Sequence, residues 1–257
     1  MSRTLHLAAP LLLLAVLLGA WEAACRIAQV PSYILPPPSQ IFQAAAANAP
    51  LLLQSAWNTL SAALLALAIA SAVACALAFA VSLHSVAEAA VRPLAVTIQA
   101  TPVIAIAPLA LIWAGIDHPG RAVVGLAAVV AFFPIFSGAL TGLRSADADL
   151  ERLFDLYGAS PWQRLRKLRL PSAVPFLVEG HKVAAGLAMV GAVVAEFGAG
   201  SGGNQGLAWR ILEASNRLQM SKVFAALFVL AAMAATLFGL LQLLERQVMA
   251  SWRGRPR

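Results

Sequence analysis

The chain has 257 residues, of which 61% are hydrophobic and 11% charged, with a formal net charge of +7; an ordinary globular domain is about a quarter charged. That excludes a water-soluble fold, which at this length has too little interior to hide so much apolar surface, and leaves the bilayer as the solvent. Cys25 and Cys75 sit in apolar runs at no ligand-like spacing, so neither a disulfide framework nor a cysteine metal site is expected.

A membrane span needs about 20 mostly apolar residues. Six are predicted, at about 6–25, 59–82, 93–115, 121–143, 175–197 and 223–244, making an all-α polytopic membrane protein with a single transmembrane domain over 1–257. The first stretch admits a second reading as a signal peptide. Arg3 precedes the apolar run Leu11 to Leu18, and Glu22-Ala23-Ala24-Cys25 faintly resembles a lipoprotein cleavage site, with Glu22 where leucine is wanted. The length of the apolar segment and the polytopic chain after it favour a retained helix.

With the amino terminus inside, twelve Lys and Arg residues fall on inner segments, five on outer segments, and Lys182 within span five. The positive-inside rule then places both termini in the cytoplasm. This distribution accounts for the net charge, and no nucleic-acid partner is expected, because no basic residues interleave with exposed aromatics.

After the first span, Ser39 is placed to cap an amphipathic helix over 39–54, with Ile41, Phe42 and Ala45 opening its apolar face. Span two carries Ala66, Ala70, Ala74 and Ala78 at four-residue intervals, read either as a helix-packing face or as mere alanine richness. Pro102, Pro108 and Pro134 fall inside predicted spans, where a missing backbone donor loosens or kinks a helix. Such breaks suit a pathway through a bundle better than a plain anchor.

The longest inner loop, about 144–172, has a design. Leu150, Leu153, Phe154 and Tyr157 form one apolar stripe on a short helix. Gly158 stands where a left-handed cap is expected, and Ser160-Pro161-Trp162-Gln163 reads as a fresh helix start with a capping box. Two short helices are thus predicted to meet at a bend over Gly158-Ala159-Ser160, the second carrying Arg164, Arg166, Lys167 and Arg169 and ending at Leu170-Pro171. The stripe packs either on this chain's own helix ends or on a docking partner.

In span five, Glu179, His181 and Lys182 cluster near the inner end, where snorkelling and mutual pairing account for them. Glu196, at the outer end, is either interfacial or part of a gate. The run Gly198 to Gly206 lacks the lysine of a phosphate-binding loop and is a flexible connection or a hinge beside an outer gate. Over 207–220, Leu207, Ile211, Ser215 and Leu218 share one face while Arg210, Glu213 and Arg217 share another, predicting an interfacial amphipathic helix in contact with lipid. His6, His84 and His118 are scattered without metal-like pairing. No nucleophile, base and orienter set stands out, so neither enzymatic activity, a cofactor nor a metal is expected.

Tyr157-Gly158-Ala159-Ser160-Pro161-Trp162-Gln163 through Leu170-Pro171-Ser172-Ala173-Val174-Pro175 resembles the EAA loop of binding-protein-dependent ABC importer permeases. The Glu-Ala-Ala opening is absent: Arg152, Leu153 and Phe154 stand there, with acids at Glu151 and Asp155. Tyr33-Ile34-Leu35-Pro36-Pro37-Pro38-Ser39, Gln99-Ala100-Thr101-Pro102, Ala107-Pro108-Leu109 and Val194-Ala195-Glu196-Phe197 resemble further landmarks of the nitrate, sulfonate and taurine branch. The resemblance implies a type I importer fold, a separate ATPase subunit, an extracytoplasmic binding protein and a second permease copy. It assigns Leu153, Phe154, Tyr157, Gly158, Ala159, Ser160, Leu170 and Pro171 to ATPase coupling, and Gln99, Pro102 and Glu196 to the pathway or its gate. Its solutes are small anions such as sulfonates or nitrate, while similar permeases serve heterocyclic vitamin precursors. The contrasting expectation is an ion-coupled carrier working alone, which would want a relay of intramembrane acids that this chain scarcely has.

Overall fold

The computed structural model describes residues 3–83, 85–115, 117–199 and 205–252. His84, the part of the glycine-rich run at 200–204, and the basic residues Arg253, Arg255 and Arg257 lie outside them. Among the described residues every regular element is helical: α1 (Arg3–Ile27), α2 (Pro38–Ala47), α3 (Ala49–Ser82), α4 (Ser85–Ala100), α5 (Val103–Ala114), α6 (Pro119–Leu143), α7 (Ala148–Leu156), α8 (Pro161–Arg164), a π-helical turn (Leu165–Arg169), α9 (Leu170–Ala199), α10 (Leu207–Asn216) and α11 (Met220–Trp252). Four stretches, Ala49–Ser82, Pro119–Leu143, Pro161–Gly198 and Met220–Ala250, are long and apolar enough to cross a membrane, and α4 with α5 makes a fifth if counted as one bent span. At 25 residues α1 also has the length of a crossing, about 37 Å at 1.5 Å per residue.

The core is α3, α6 and α9. In lipid no hydrophobic force drives helices together, so close approach depends on small side chains. The alanine ladder of α3 is indeed a packing face: Ala66, Ala70, Ala74 and Ala78 are all buried, and the same stripe continues upstream through Ala63, Thr59 and Ser55. Between α6 and α9 the approach is closer still. A Cβ on Gly138 would lie 2.7 Å from the Phe176 carbonyl oxygen, and one on Gly180 would lie 2.7 Å from the Pro134 carbonyl oxygen. Ile135 and Phe136 fill the interior, with Phe132 stacked on Phe136 at 5.5 Å.

Several predicted boundaries move. The span expected at 93–115 is broken, with α4 and α5 bent by 96° across Thr101 and Pro102. Of the three prolines expected to disturb spans, only Pro102 breaks one, while Pro108 and Pro134 lie within continuous helices. The helix predicted over 39–54 ends at Ala47, and 49–54 belongs to α3, which begins ten residues before its predicted span. Ser39 does not cap: its N–H and hydroxyl both donate to Glu22, each at 2.9 Å, so the carboxylate on α1 satisfies the start of α2. The face predicted over 207–220 loses Leu218, which lies past the end of α10 in the left-handed region at φ 56°. Trp21 meets Phe224 and Phe228 edge-on at 5.6 and 6.2 Å, joining α1 to α11.

Pro171 does not end its helix. A proline lacks the N–H for an intrahelical bond, and its ring strikes the carbonyl four residues back. Here that residue is Lys167, inside the π turn, whose wider winding absorbs both defects. The helix therefore runs on from Pro161 to Gly198, 38 residues and about 57 Å.

Replacing Gly180 with Val is expected to push α6 and α9 apart and cost about 1–3 kcal/mol. Gly186→Ala, where an added Cβ meets nothing within 4 Å, should be neutral. Thermal denaturation of the two variants in detergent, followed by size-exclusion chromatography, checks the contrast.

Candidate functional site: an exposed apolar bend and a buried carboxylate

Between α6 and α9 the chain makes the bend that the sequence predicts. Asp147 caps α7, its carboxylate accepting the Asp149 N–H at 2.7 Å. At the other end Gly158 adopts φ 64°, its N–H donates to the Asp155 carbonyl and the Ala159 N–H to the Phe154 carbonyl, both at 3.0 Å. This double closure is the Schellman motif, and it needs a left-handed residue at that point. Ser160 then opens α8 with a complete capping box: its hydroxyl accepts the Gln163 N–H, and the Gln163 side chain accepts the Ser160 N–H at 2.9 Å.

Charged residues brace the bend from within. Glu151 on α7 accepts from Arg169 at 2.7 Å and faces Arg164 at 3.5 Å, and Asp155 also pairs with Arg164. Glu151 and Asp155, the acids on either side of the missing Glu-Ala-Ala opening, are thus engaged inside the loop. The apolar side chains are left outside: Leu150, Leu153, Leu156, Tyr157 and Trp162 are exposed, Leu156 and Tyr157 by more than 80%. Phe154 is the most covered residue of the predicted stripe, Leu150 and Leu153 keep over 40% of their surface open, and α7 is not packed on the ends of the long helices. Leu156 and Trp162 were not in the predicted set; the helical spacing that selects Leu153 and Tyr157 passes over them, because they join the patch only through the bend. Ala159 and Ser160 form the turn itself, and Leu170 and Pro171 lie exposed on the continuous helix beyond it.

At the opposite end of α9 lies Glu196, 6% exposed. One carboxylate oxygen accepts the Thr59 hydroxyl at 2.7 Å, and the other accepts the Ala208 N–H at 3.0 Å. Thr59 in turn accepts the Leu207 N–H at 2.9 Å. Two orphan donors of the first turn of α10 are thereby satisfied. Gly206 is the residue that permits this, since a Cβ there would collide with the carboxylate. Arg210 donates to Ser55 at 3.1 Å and pairs with Glu213, holding α10 along α3. Thr59, Ser55 and Gly206 were missed by sequence reasoning; the signal for the two hydroxyls was the small-residue stripe of α3, which steps three residues from Ala66 to Ala63 and then four to Thr59 and Ser55, while Gly206 had none.

A groove of about 730 Å³ opens beside this latch. Glu196, Asn58 and Ser61 line it, Leu65 and Ile69 form an apolar wall, and Asp117, His118 and Arg121 line its remaining polar part. Gln99 and Pro102 do not line it; they lie exposed at the break between α4 and α5. Glu179, His181 and Lys182 do not pair only with one another. Lys182 reaches Glu245 on α11 at 3.1 Å as well as Glu179 at 3.6 Å. His181 donates from Nδ1 to the Leu177 carbonyl at 2.7 Å, since a carbonyl only accepts, and its Nε2 accepts the Ser71 hydroxyl at 2.7 Å.

Residues 71–250 match the family described as binding-protein-dependent transport system inner membrane component. The chain belongs to that family. It is 31% identical to the formylaminopyrimidine transport permease protein of Halalkalibacterium halodurans, over 98% of this chain and 99% of the relative. It is 34% identical to the riboflavin transport system permease protein of Chloroflexus aurantiacus, over 91% and 86%. The taurine transport system permease protein of Escherichia coli, from the branch expected from the sequence, is 28% identical over 94% and 88%. The chain is an ABC transporter permease with several membrane-crossing helices. Permeases of this kind are not themselves enzymes and work with an ATPase and a solute-binding partner.

Thr59→Val leaves the Leu207 N–H buried without an acceptor and is expected to cost about 1–3 kcal/mol of stability. Thr59→Ser should retain it, and thermal melts of both purified variants distinguish the outcomes.

Proposed function

We propose that the bend around Gly158 docks on a cytoplasmic ATPase subunit, and that the permease carries a small solute delivered by an extracytoplasmic binding protein. The observation that carries this reading is the exposure of Leu153, Leu156, Tyr157 and Trp162 on a bend where Glu151 and Arg164 are turned inward and pair with each other. A solvated loop would present the reverse, and an apolar patch rimmed by charge marks an interaction site. Leu153, Phe154, Tyr157, Gly158, Ala159 and Ser160 form the docking surface, with Leu170 and Pro171 at its root; Glu196 belongs to the gate, and Gln99 and Pro102 to the pathway wall.

The excess of basic residues on the segments that include this loop supports a cytoplasmic bend and cytoplasmic termini. The whole chain, 1–257, acts as one permease domain in the bacterial inner membrane, paired with a second copy and bathed by lipid along its apolar helices. ATP binding closes the ATPase dimer, draws the two docked bends together and opens the pathway outward; hydrolysis resets it. The solute is a sulfonate-, taurine- or nitrate-like anion, in keeping with the branch landmarks. A second reading, a heterocyclic vitamin precursor, is favoured by the relatives named for formylaminopyrimidine and riboflavin, and by the two carboxylates and single arginine of the groove, which do not make an anion site. Mass spectrometry of the ligand retained by the gently purified binding protein separates the two.

Nothing lies within 4 Å of a Cβ added at Gly158, so its substitution tests conformation alone. Valine in the left-handed region costs roughly 1–2 kcal/mol, a factor of about 5–30 in the population of the bend. In proteoliposomes with the ATPase and binding protein, Gly158→Val should lose uptake by about that factor while Gly158→Asn, which tolerates the left-handed region, retains most of it. Normal uptake by Gly158→Val would remove the bend from the coupling path.

A further inference from the structure

The buried acid of α4 takes no part in the bend or the latch described above. Glu88 is 6% exposed and is the only acidic residue of α4. Its carboxylate pairs with Arg144 and stands 3.9 Å from Arg92 one turn along the same helix. Arg144 is the residue at which α6 ends and the docking loop begins. Its position is held from both sides, because the next residue, Ser145, donates its hydroxyl to the Gly142 carbonyl at 2.8 Å and also reaches the Ser172 carbonyl at 3.2 Å, at the root of α9. The pair therefore connects α4 to the point where the loop leaves the core.

The surroundings of α4 give that connection mechanical meaning. A cleft of about 760 Å³ opens where Glu88 meets Arg144, with Pro93 and Thr97 on its α4 side. About three turns beyond Glu88 the helix ends at the 96° break before α5. The hydroxyls of Thr97 and Thr101 bond carbonyls four residues back, at 3.0 Å each, so both side chains are satisfied locally at the approach to the break. A helix hinged at one end and tied near the other by a buried charge is carried by that tie, even though Pro93 withholds one rung of its hydrogen-bond ladder. A buried carboxylate deprived of its cation is strongly disfavoured, so the helix follows Arg144 rather than parting from it.

We infer that Glu88 and Arg144 are positioning residues that pass displacement of the docked loop to α4, making the cleft that α4 borders beside them the part of the pathway that opens and closes from the loop side. This rests on the permease reading, which is checked first by ATP-dependent uptake with the wild-type complex of permease, ATPase and binding protein. Given that activity, Glu88→Gln and Arg144→Gln are each expected to lower solute taken up per ATP hydrolysed by at least tenfold. The double variant Glu88→Arg with Arg144→Glu should recover it to within about threefold of wild type, a rescue that a role in packing alone would not produce. Where a single variant fails to assemble, Glu88→Cys with Arg144→Cys, in a chain with Cys25 and Cys75 replaced by serine, is bridged by a short bis-methanethiosulfonate reagent. The bridge should restore the uptake that the unbridged double-cysteine variant lacks, and reduction should abolish it again. Unchanged coupling in the single variants, no recovery in the charge-swapped pair, or equal uptake with and without the bridge would overturn the inference.

Discussion

The structure depends on how closely α6 and α9 approach. A lipid solvent gives helices no reason to associate through apolar area, so association comes from contacts between backbones that only small residues allow. Gly138 and Gly180 face each other's helices across this seam, each occupying a place where a Cβ would strike a carbonyl. The alanine ladder of α3 brings a third helix to the same core. Everything with functional character hangs on these three helices: the docking loop is the connection from α6 to α9, the groove lies between α3 and α6, and the latch joins α3 to α9.

Continuity of α9 links the two ends. Because the π turn lets the helix continue past Pro171, a single rod runs from the capping box of α8 to the turn that holds Glu196. A stop at Pro171 would have made the docking helix a separate element, free to tilt without consequence. As built, the bend and the buried carboxylate share one helix, and a rotation of the bend is felt at the start of α10. The charges follow the same division of labour. Glu151, Asp155, Arg164 and Arg169 set the angle of the bend, while Lys182 and Glu245 fasten the middle of α9 to α11.

Local chemistry was the most legible part of the sequence. The stop at Gly158 and the start at Ser160 depend on residues within four positions of each other, and both appear as predicted. Helix continuity was less legible, because proline rules describe an α-helix and the π turn around Leu165 suspends them. Tertiary partners were hardest to read. Glu196 stood out as an ionisable residue in a span, yet its partner Thr59 lies 137 positions away and looks like any other small polar residue. Gln99 and Pro102 marked a true break in the chain but not the groove beside Glu196, since adjacency in the membrane is set by how α4 folds back on α3 and α6.

Hydrogen–deuterium exchange on the full-length permease in nanodiscs, with and without its ATPase subunit, tests the docking claim most directly. Protection on adding the ATPase is expected over residues 148–164, strongest at the last turn of α7 and the first turn of α8, with the segment 207–216 unchanged. Protection that spared 148–164, or fell elsewhere on the chain, would contradict it.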